Sequence, residues 1–275
     1  MAQFPRPLAL LTDMDGTLLN PDKTLSPKNA AAIADFRAKG GRFSIATGRS
    51  LEATRPYLEL LQPDLPAVMY NGALIYDWQQ QKPLYTVTLP QGARAALKEL
   101  LAYAPGVGAE VLNAQGVFVV KDNEFEQKHL EITKVQAQFV APDDVDLCTC
   151  FKALFAGDPA EIDRLEAFAA QPQFAAFAFT RSHSWFLEML PPAVSKGAAL
   201  EKIRAMLPED TVIGAAGDFD NDLAMLAAAD FCGCPADAQP VVRETVAKLG
   251  GYVSPCPCKD DFFADLIAEF LRQTT

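Results

Sequence analysis

Two rhythms of apolar and polar positions run along the chain. From Leu8 to Tyr70, short apolar runs alternate with longer amphipathic stretches. Leu8–Thr12 reads as a strand. Ser26 or Thr24 caps a helix through Ala30, Ile33 and Phe36, and Gly40-Gly41 ends it. Phe43–Ala46 reads as a second strand and Leu51–Leu61 as a helix, with a boundary at Gln62-Pro63. Ala67–Tyr70 is a third strand. Strand, helix, strand, helix, strand implies a parallel sheet with right-handed crossovers.

Near Asp77 the rhythm changes. Gln79–Pro83 is a polar turn, Tyr85–Thr88 alternates like a half-exposed strand, and a helix follows through Ala95, Leu97 and Leu101. Short strands are predicted at Gly108–Leu112, Val117–Val120, Phe151–Phe155, Phe174–Thr180 and Trp185–Leu190, with helices at Asp122–Glu131 and Pro159–Ala170. Paired strands with helices predict an α+β insert carrying an antiparallel sheet. After Pro191-Pro192 the first rhythm returns: helix Lys196–Met206, strand Val212–Ala215, helix Asp220–Ala229, strand Phe231–Gly233, then helices near Ala238–Leu249 and Asp260–Leu271. The expected fold is α/β, a Rossmann-like parallel-sheet core split into residues 1–81 and 190–275, with an α+β domain at 82–189 inserted. Both parts of the core should share one sheet.

Composition narrows the partners. The 275 residues are 50% hydrophobic, enough for a sizeable core, and the formal net charge is −11. An acidic surface repels nucleic acid and anionic membranes. No apolar run reaches the 18 or so residues of a membrane span, and Met1–Leu11 lacks the pattern of a secretion signal. A cytoplasmic protein, monomeric or weakly dimeric, is expected. Six cysteines form three Cys-x-Cys pairs, Cys148/Cys150, Cys232/Cys234 and Cys256/Cys258. Reduced thiols fit a long chain of this type. A four-thiolate zinc site from the last two pairs has the ligand count but not the usual Cys-x-x-Cys spacing.

The candidate chemistry lies at strand ends, where open α/β sheets bind ligands. Asp13 and Asp15 follow the first strand, two residues apart and so on one side of an extended chain. Gly16 permits a turn, and Thr17 offers a hydroxyl. Two carboxylates this close call for a cation, and magnesium prefers oxygen ligands. Thr47-Gly48-Arg49-Ser50 stands between a strand and a helix and offers a hydroxyl and amides to a phosphate, or merely a helix cap. Lys196 opens a helix, where the dipole disfavours it, which suggests an anion or carboxylates nearby. Asp218, Asp220, Asn221 and Asp222 place three acids and an amide after another strand, more than capping needs.

In this order the motifs resemble the haloacid dehalogenase superfamily of phosphatases, in particular its Cof-type branch with a large α/β cap (subfamily IIB). The matching stretches are Thr12–Leu19, Ala46–Arg49, Tyr70–Ala73, Val194–Gly197 and Gly217-Asp218-x-x-Asn221-Asp222-x-x-Met225-Leu226. The resemblance implies a magnesium-dependent phosphatase for a small phosphorylated metabolite: sugar phosphates first, then cofactors such as pyridoxal phosphate or flavin mononucleotide. By it, Asp13 is the nucleophile and forms an aspartyl-phosphate. Asp15 is general acid and base. Thr47 and Lys196 hold phosphoryl oxygens. Mg2+ is bound by Asp13, Asp218 and the Asp15 carbonyl, with Asp222 close by. Gly16, Gly48, Arg49, Asn71, Gly72 and Asn221 line the substrate side.

A phosphomutase or phosphotransferase would use the same intermediate. A receiver-type phosphoacceptor is disfavoured by Asp15, which promotes turnover. The chain departs from the family pattern at Phe231–Ala238, where Asp237-Ala238 stands in for an Asn-Ala pair, and at Ala193, often a glycine. In the insert, His129, Arg181, His183, Trp185 and Glu188 are candidates for facing the substrate or for structural roles. No histidine lies in the predicted core, so a histidine-based phosphatase mechanism has no support.

Overall fold

A computed structural model describes residues 4–274; Met1–Gln3 of the segment read for a secretion signal lie outside it. In chain order the elements are β1 (Leu8–Thr12), α1 (Pro27–Ala38), β2 (Arg42–Ile45), α2 (Leu51–Leu61), β3 (Ala67–Met69), β4 (Leu74–Asp77), β5 (Lys82–Thr86), α3 (Ala93–Tyr103), β6 (Gly108–Asn113), β7 (Gly116–Lys121), α4 (Glu124–Thr133) and β8 (Ala137–Phe139). There follow β9 (Cys150–Ala156), α5 (Pro159–Ala169), β10 (Ala178–His183), β11 (Phe186–Leu190), α6 (Lys196–Arg204), β12 (Val212–Ala216), α7 (Leu223–Ala228), β13 (Phe231–Cys234), α8 (Pro240–Lys248), β14 (Tyr252–Val253) and α9 (Phe262–Thr274).

The chain divides into two compact units. One comprises the residues up to Thr47, Leu61–Pro83 and those from Ser195 onward; the other comprises Gly48–Leu60 and Leu84–Val194.

The first unit is built on a parallel sheet of order β14-β13-β12-β1-β2. Both ends of the chain contribute, as the returning rhythm predicts. All five residues of β1 are buried, because helices cover both faces of the sheet. Ala9 and Leu11 join Ile213 and Ala215 against Leu200, Ile203, Met225 and Leu226 of α6 and α7. Aromatic pairs, Phe36 with Phe270 and Phe43 with Phe263, join α1 and β2 to α9. Ser26 is the cap of α1, accepting the Asn29 N–H at 3.0 Å, with Pro27 in the first turn.

Two details correct the sequence reading of this unit. β3 is not a full member of the parallel sheet: it meets the β2 end through one bridge, Ala46–Val68, and pairs antiparallel with β4. The chain leaves β3 at Met69 through left-handed Tyr70 and Asn71 and Gly72, all at positive φ. The edge strand β14, two residues long, went unread.

The second unit carries the sheet β10-β11-β9-β6-β7-β8, antiparallel except for the β7–β8 pair. Ala109, Val111, Ala153, Phe155, Leu187 and Met189 share a core with Leu97, Leu100, Ile162 and Leu165 of α3 and α5. The run read as a strand from Phe174 begins instead as a 3-10 turn, Pro172–Phe174, and extends only from Ala178. Proline at the turn's start favours that local coil over a ladder.

Candidate active site

The carboxyl end of β1 delivers Asp13. Its N–H donates to the Ala216 carbonyl at 2.9 Å, which ties it to the end of β12. Lys196 reaches it from the first turn of α6. The ammonium is fully buried, 2.5 Å from Asp13 Oδ1 and 2.7 Å from Asp222 Oδ1. The lysine costly to the helix dipole is therefore matched by two carboxylates. Burial alone would lower its affinity for the proton, but Asp13 and Asp222 outweigh that and hold it charged.

Asp222 spends both oxygens: Oδ1 on Lys196, Oδ2 on the amides of Asp218 and Phe219 at 2.9 and 3.1 Å. This shapes the turn after β12. Asp218 in turn accepts from Thr17 Oγ1 at 2.6 Å. One oxygen from each of Asp13, Asp218 and Asp222 lies within 4.8 Å of the others. Burial, opposed by Lys196 and reinforced by Asp222 and Asp15, pushes the Asp13 carboxyl up to about 7. Burial, then Asp13 and Asp222, raises Asp218 well above the ordinary carboxylate range. Asp13 and Asp222 share the Lys196 ammonium, and Asp218 lies beside both, so the cluster gathers more carboxyl groups than that one cation can neutralise. An all-oxygen donor set with that excess of carboxyls fits a hard dication.

Glycines allow the close approach. Gly16 has φ +78°, and a Cβ there would stand 2.4 Å from Asp218 Oδ2. Gly72, at φ +106°, packs where a Cβ would be 2.4 Å from the Ser195 carbonyl, the residue before Lys196. Asn71 donates its N–H to the Thr47 carbonyl at 3.1 Å, and its Oδ1 accepts from Asn221 Nδ2 at 3.0 Å. Thr47 is buried, its N–H donating to Val68. The fold thus brings together Asp13, Asp15, Gly16, Thr47, Asn71, Gly72, Lys196, Asp218, Asn221 and Asp222 in the first unit. Gly48 and Arg49 fall in the second, where Lys152 Nζ donates to the Gly48 carbonyl at 2.8 Å and the Arg49 guanidinium stands 5.1 Å from the Tyr57 ring centroid.

The sequence reading missed Lys23, whose Nζ is 2.7 Å from Asp15 Oδ1. The turn residues Asn20-Pro21-Asp22 just before it were the available signal.

The insert candidates divide by contact. Arg181 binds Asp163 and Glu166 of α5 at 2.8 and 3.2 Å and the carbonyls of its own hairpin, a structural arrangement. Glu188 is buried against Lys152 at 2.5 Å. His183 and Trp185 stack edge to face, and Lys128 lies over the Trp185 ring. His129 Nε2 is 3.2 Å from Glu110 Oε1. Apart from that histidine, no donor among the described residues reaches the oxygens of buried Glu110 and Glu126. Burial, followed by the nearby Glu110 carboxyl, pushes Glu126 up to about 10.

The six cysteines are unpaired as disulfides. Burial pushes the thiols of Cys232, Cys234 and Cys258 up to about 11, 12 and 12, so they are poor thiolate donors. Among the described residues, the aspartate cluster is the one group with metal-binding geometry. Ala193 has φ +60°, a conformation that favours glycine and explains the residue more usual there. Asp237 accepts the Cys258 amide at 2.8 Å.

The model of the haloacid dehalogenase-like hydrolases matches residues 10–252. The chain belongs to that family. The enzyme class expected from the motifs, a phosphoric monoester hydrolase, agrees with this membership. An HMP-PP phosphatase of Escherichia coli is 27% identical over 245 residues, 86% of this chain and 87% of the relative. A pyridoxal phosphate phosphatase of Escherichia coli is 38% identical over 89 residues, 32% of this chain and 33% of the relative. The solved structure of a subclass IIB sugar phosphatase superposes with a TM-score of 0.81 at 20% identity, covering 95% of this chain and 98% of the other, and so shares the fold. No helix among the described residues is long and apolar enough to cross a membrane.

Proposed function

We propose that the protein hydrolyses small phosphorylated metabolites with magnesium, through a phosphoryl group carried on Asp13. The observation that carries the reading is the buried Lys196 ammonium 2.5 Å from Asp13 Oδ1, at the carboxyl edge of a parallel sheet. In the first half-reaction an Asp13 oxygen attacks phosphorus while the bond to the leaving oxygen breaks, and Asp15 gives that oxygen its proton. In the second, Asp15 takes a proton from water as the water oxygen bonds to phosphorus and Asp13 is released. Lys196 and Thr47 hold the equatorial oxygens. Asn71, fixed to Thr47 and Asn221, orients the phosphate.

Asp13, Asp218 and the Asp15 carbonyl would hold the Mg2+ ion, with Asp222 beside it. The ion supplies positive charge to the phosphoryl oxygens as charge builds there. In this reading the first unit is the catalytic core and the inserted one its cap. The names of the relatives, a sugar phosphatase, a pyridoxal phosphate phosphatase and an HMP-PP phosphatase, support a small phosphorylated metabolite, and the motif resemblance puts sugar phosphates foremost.

Asp13→Asn tests the mechanism. Hydrolysis of p-nitrophenyl phosphate should fall by about 10⁴-fold or more with the melting temperature retained. Activity within tenfold of the parent would sink it. Mg2+-induced thermal stabilisation, lost in Asp218→Asn, reads the metal site without turnover.

A further inference from the structure

The hairpin after the Asp13–Thr17 turn returns the chain to Asp15. Asp15 bridges to Leu19, the Asn20 N–H donates to the Thr24 carbonyl at 2.9 Å, and the Lys23 N–H to the Asn20 carbonyl at 2.8 Å. Side chains lock the same turn. Asp22 Oδ1 accepts from the Thr24 amide and hydroxyl at 3.0 and 2.6 Å, and Asn20 Nδ2 donates to Thr24 Oγ1. At the tip the backbone of Lys23 takes φ +67°, a conformation that glycine or asparagine would adopt at lower cost. That costly position sends an ammonium to within 2.7 Å of Asp15 Oδ1, with both side chains about one-third exposed at 33% and 36%.

A long, flexible lysine loses rotamer freedom in making such a pair, and an exposed pair returns little stability. Its yield is geometric. A carboxyl that must transfer a proton needs its oxygen within hydrogen-bond reach of the reacting atom, and small misplacements cost rate.

We infer that Lys23 is a positioning residue: its ammonium, presented by the locked Asn20–Thr24 turn, fixes the rotamer of Asp15 for proton transfer. The inference rests on the role proposed above for Asp15. Lys23 itself gives up no proton. The proton passes from Asp15 to the leaving oxygen as the phosphorus–oxygen bond breaks.

Leaving groups separate this role from a structural one. p-Nitrophenolate departs with little help, whereas phenolate needs its proton more. Lys23→Met should lower kcat/KM for phenyl phosphate by at least about tenfold more than for p-nitrophenyl phosphate. Lys23→Arg, which keeps a cation in reach, should restore most of the loss. Equal losses on both substrates, or none on phenyl phosphate, would overturn the inference. Asp15→Asn is the control. If it lacks the leaving-group dependence, the assignment of Asp15 fails. If it has the dependence and Lys23→Met does not, only the role of Lys23 fails. Melting temperatures of all variants identify one that has simply failed to fold.

Discussion

Replacing Glu126 by glutamine should make the protein's stability less dependent on pH, in a direction the buried carboxyl pair dictates. Glu126 opens α4 behind its Asn123 cap, and Glu110 lies on β6; neither is more than 1% exposed. Glu126 stays protonated in the folded state up to about pH 10, against an ordinary value near 4.5. A folded-state value raised above the unfolded one gives stability that is complete below about 4.5 and drains away as pH climbs toward 10. In that window folding takes up one proton, so stability falls by about 1.4 kcal/mol per pH unit. Glu110 shifts the other way, because His129 and the proton on Glu126 outweigh its burial. Its contribution is lost only as pH falls below about 4.5 and does not enter the alkaline window. The other titratable or charged groups facing the pair, His129, Asp122 and Lys152, are present in both proteins.

Glutamine keeps the shape and donates an amide N–H to Glu110 without a titrating proton. Between pH 7 and pH 9 the variant should gain on the parent by up to about 3 kcal/mol, two pH units of the lost dependence. For a chain of this length that corresponds to roughly 5–10 °C in relative melting temperature. Thermal unfolding at three or four pH values measures it. A difference between variant and parent that stays constant from pH 7 to 9 would refute the proton held on Glu126.

Two further outcomes follow from the aspartate cluster. Gly16→Ala adds a methyl 2.4 Å from Asp218 Oδ2 at φ +78°. It should cost about 1–2 kcal/mol of backbone strain and weaken Mg2+-induced stabilisation, whereas Gly92→Ala, at φ +91° with nothing within 4 Å, should show the strain alone. In the proposed reading Mg2+ competes with protons on Asp13 and Asp218, both raised by burial, so its apparent affinity, read by thermal shift, should weaken as pH falls; a flat profile from pH 5 to 8 would contradict it.

The sheet and most of the cluster were legible because each of their signals is local. An apolar strand-length run ending in Asp13, Thr47 or Asp218 announces both a strand and what stands at its end. What escaped was set by distant partners. Glu110 sits among apolar residues in Gly108–Asn113 and gives no sign, in that stretch, of a second carboxyl on α4 16 positions later. Lys23 reads as a surface lysine until the turn folds it back. The strands Ala137–Phe139 and Tyr252–Val253 are too short for any alternation to register. In Phe174–Thr180 the apolar content suggested a strand, but Pro172 organised its start as a coil.

The pairing of Asp13 with Lys196 spans 183 residues of chain. On a ribosome adding about 5–20 residues each second, the aspartate emerges roughly 10–40 s before its lysine. Through that interval β1 has no β12 to pair with, and Asp13 remains in water as an ordinary carboxylate. The cluster thus cannot form until Lys196 and β12 have been made, by which time the continuous segment Leu84–Val194 is already finished. Dividing one sheet between segments so far apart makes synthesis of the residues through β12 and α6 the condition for assembling the aspartate–lysine cluster.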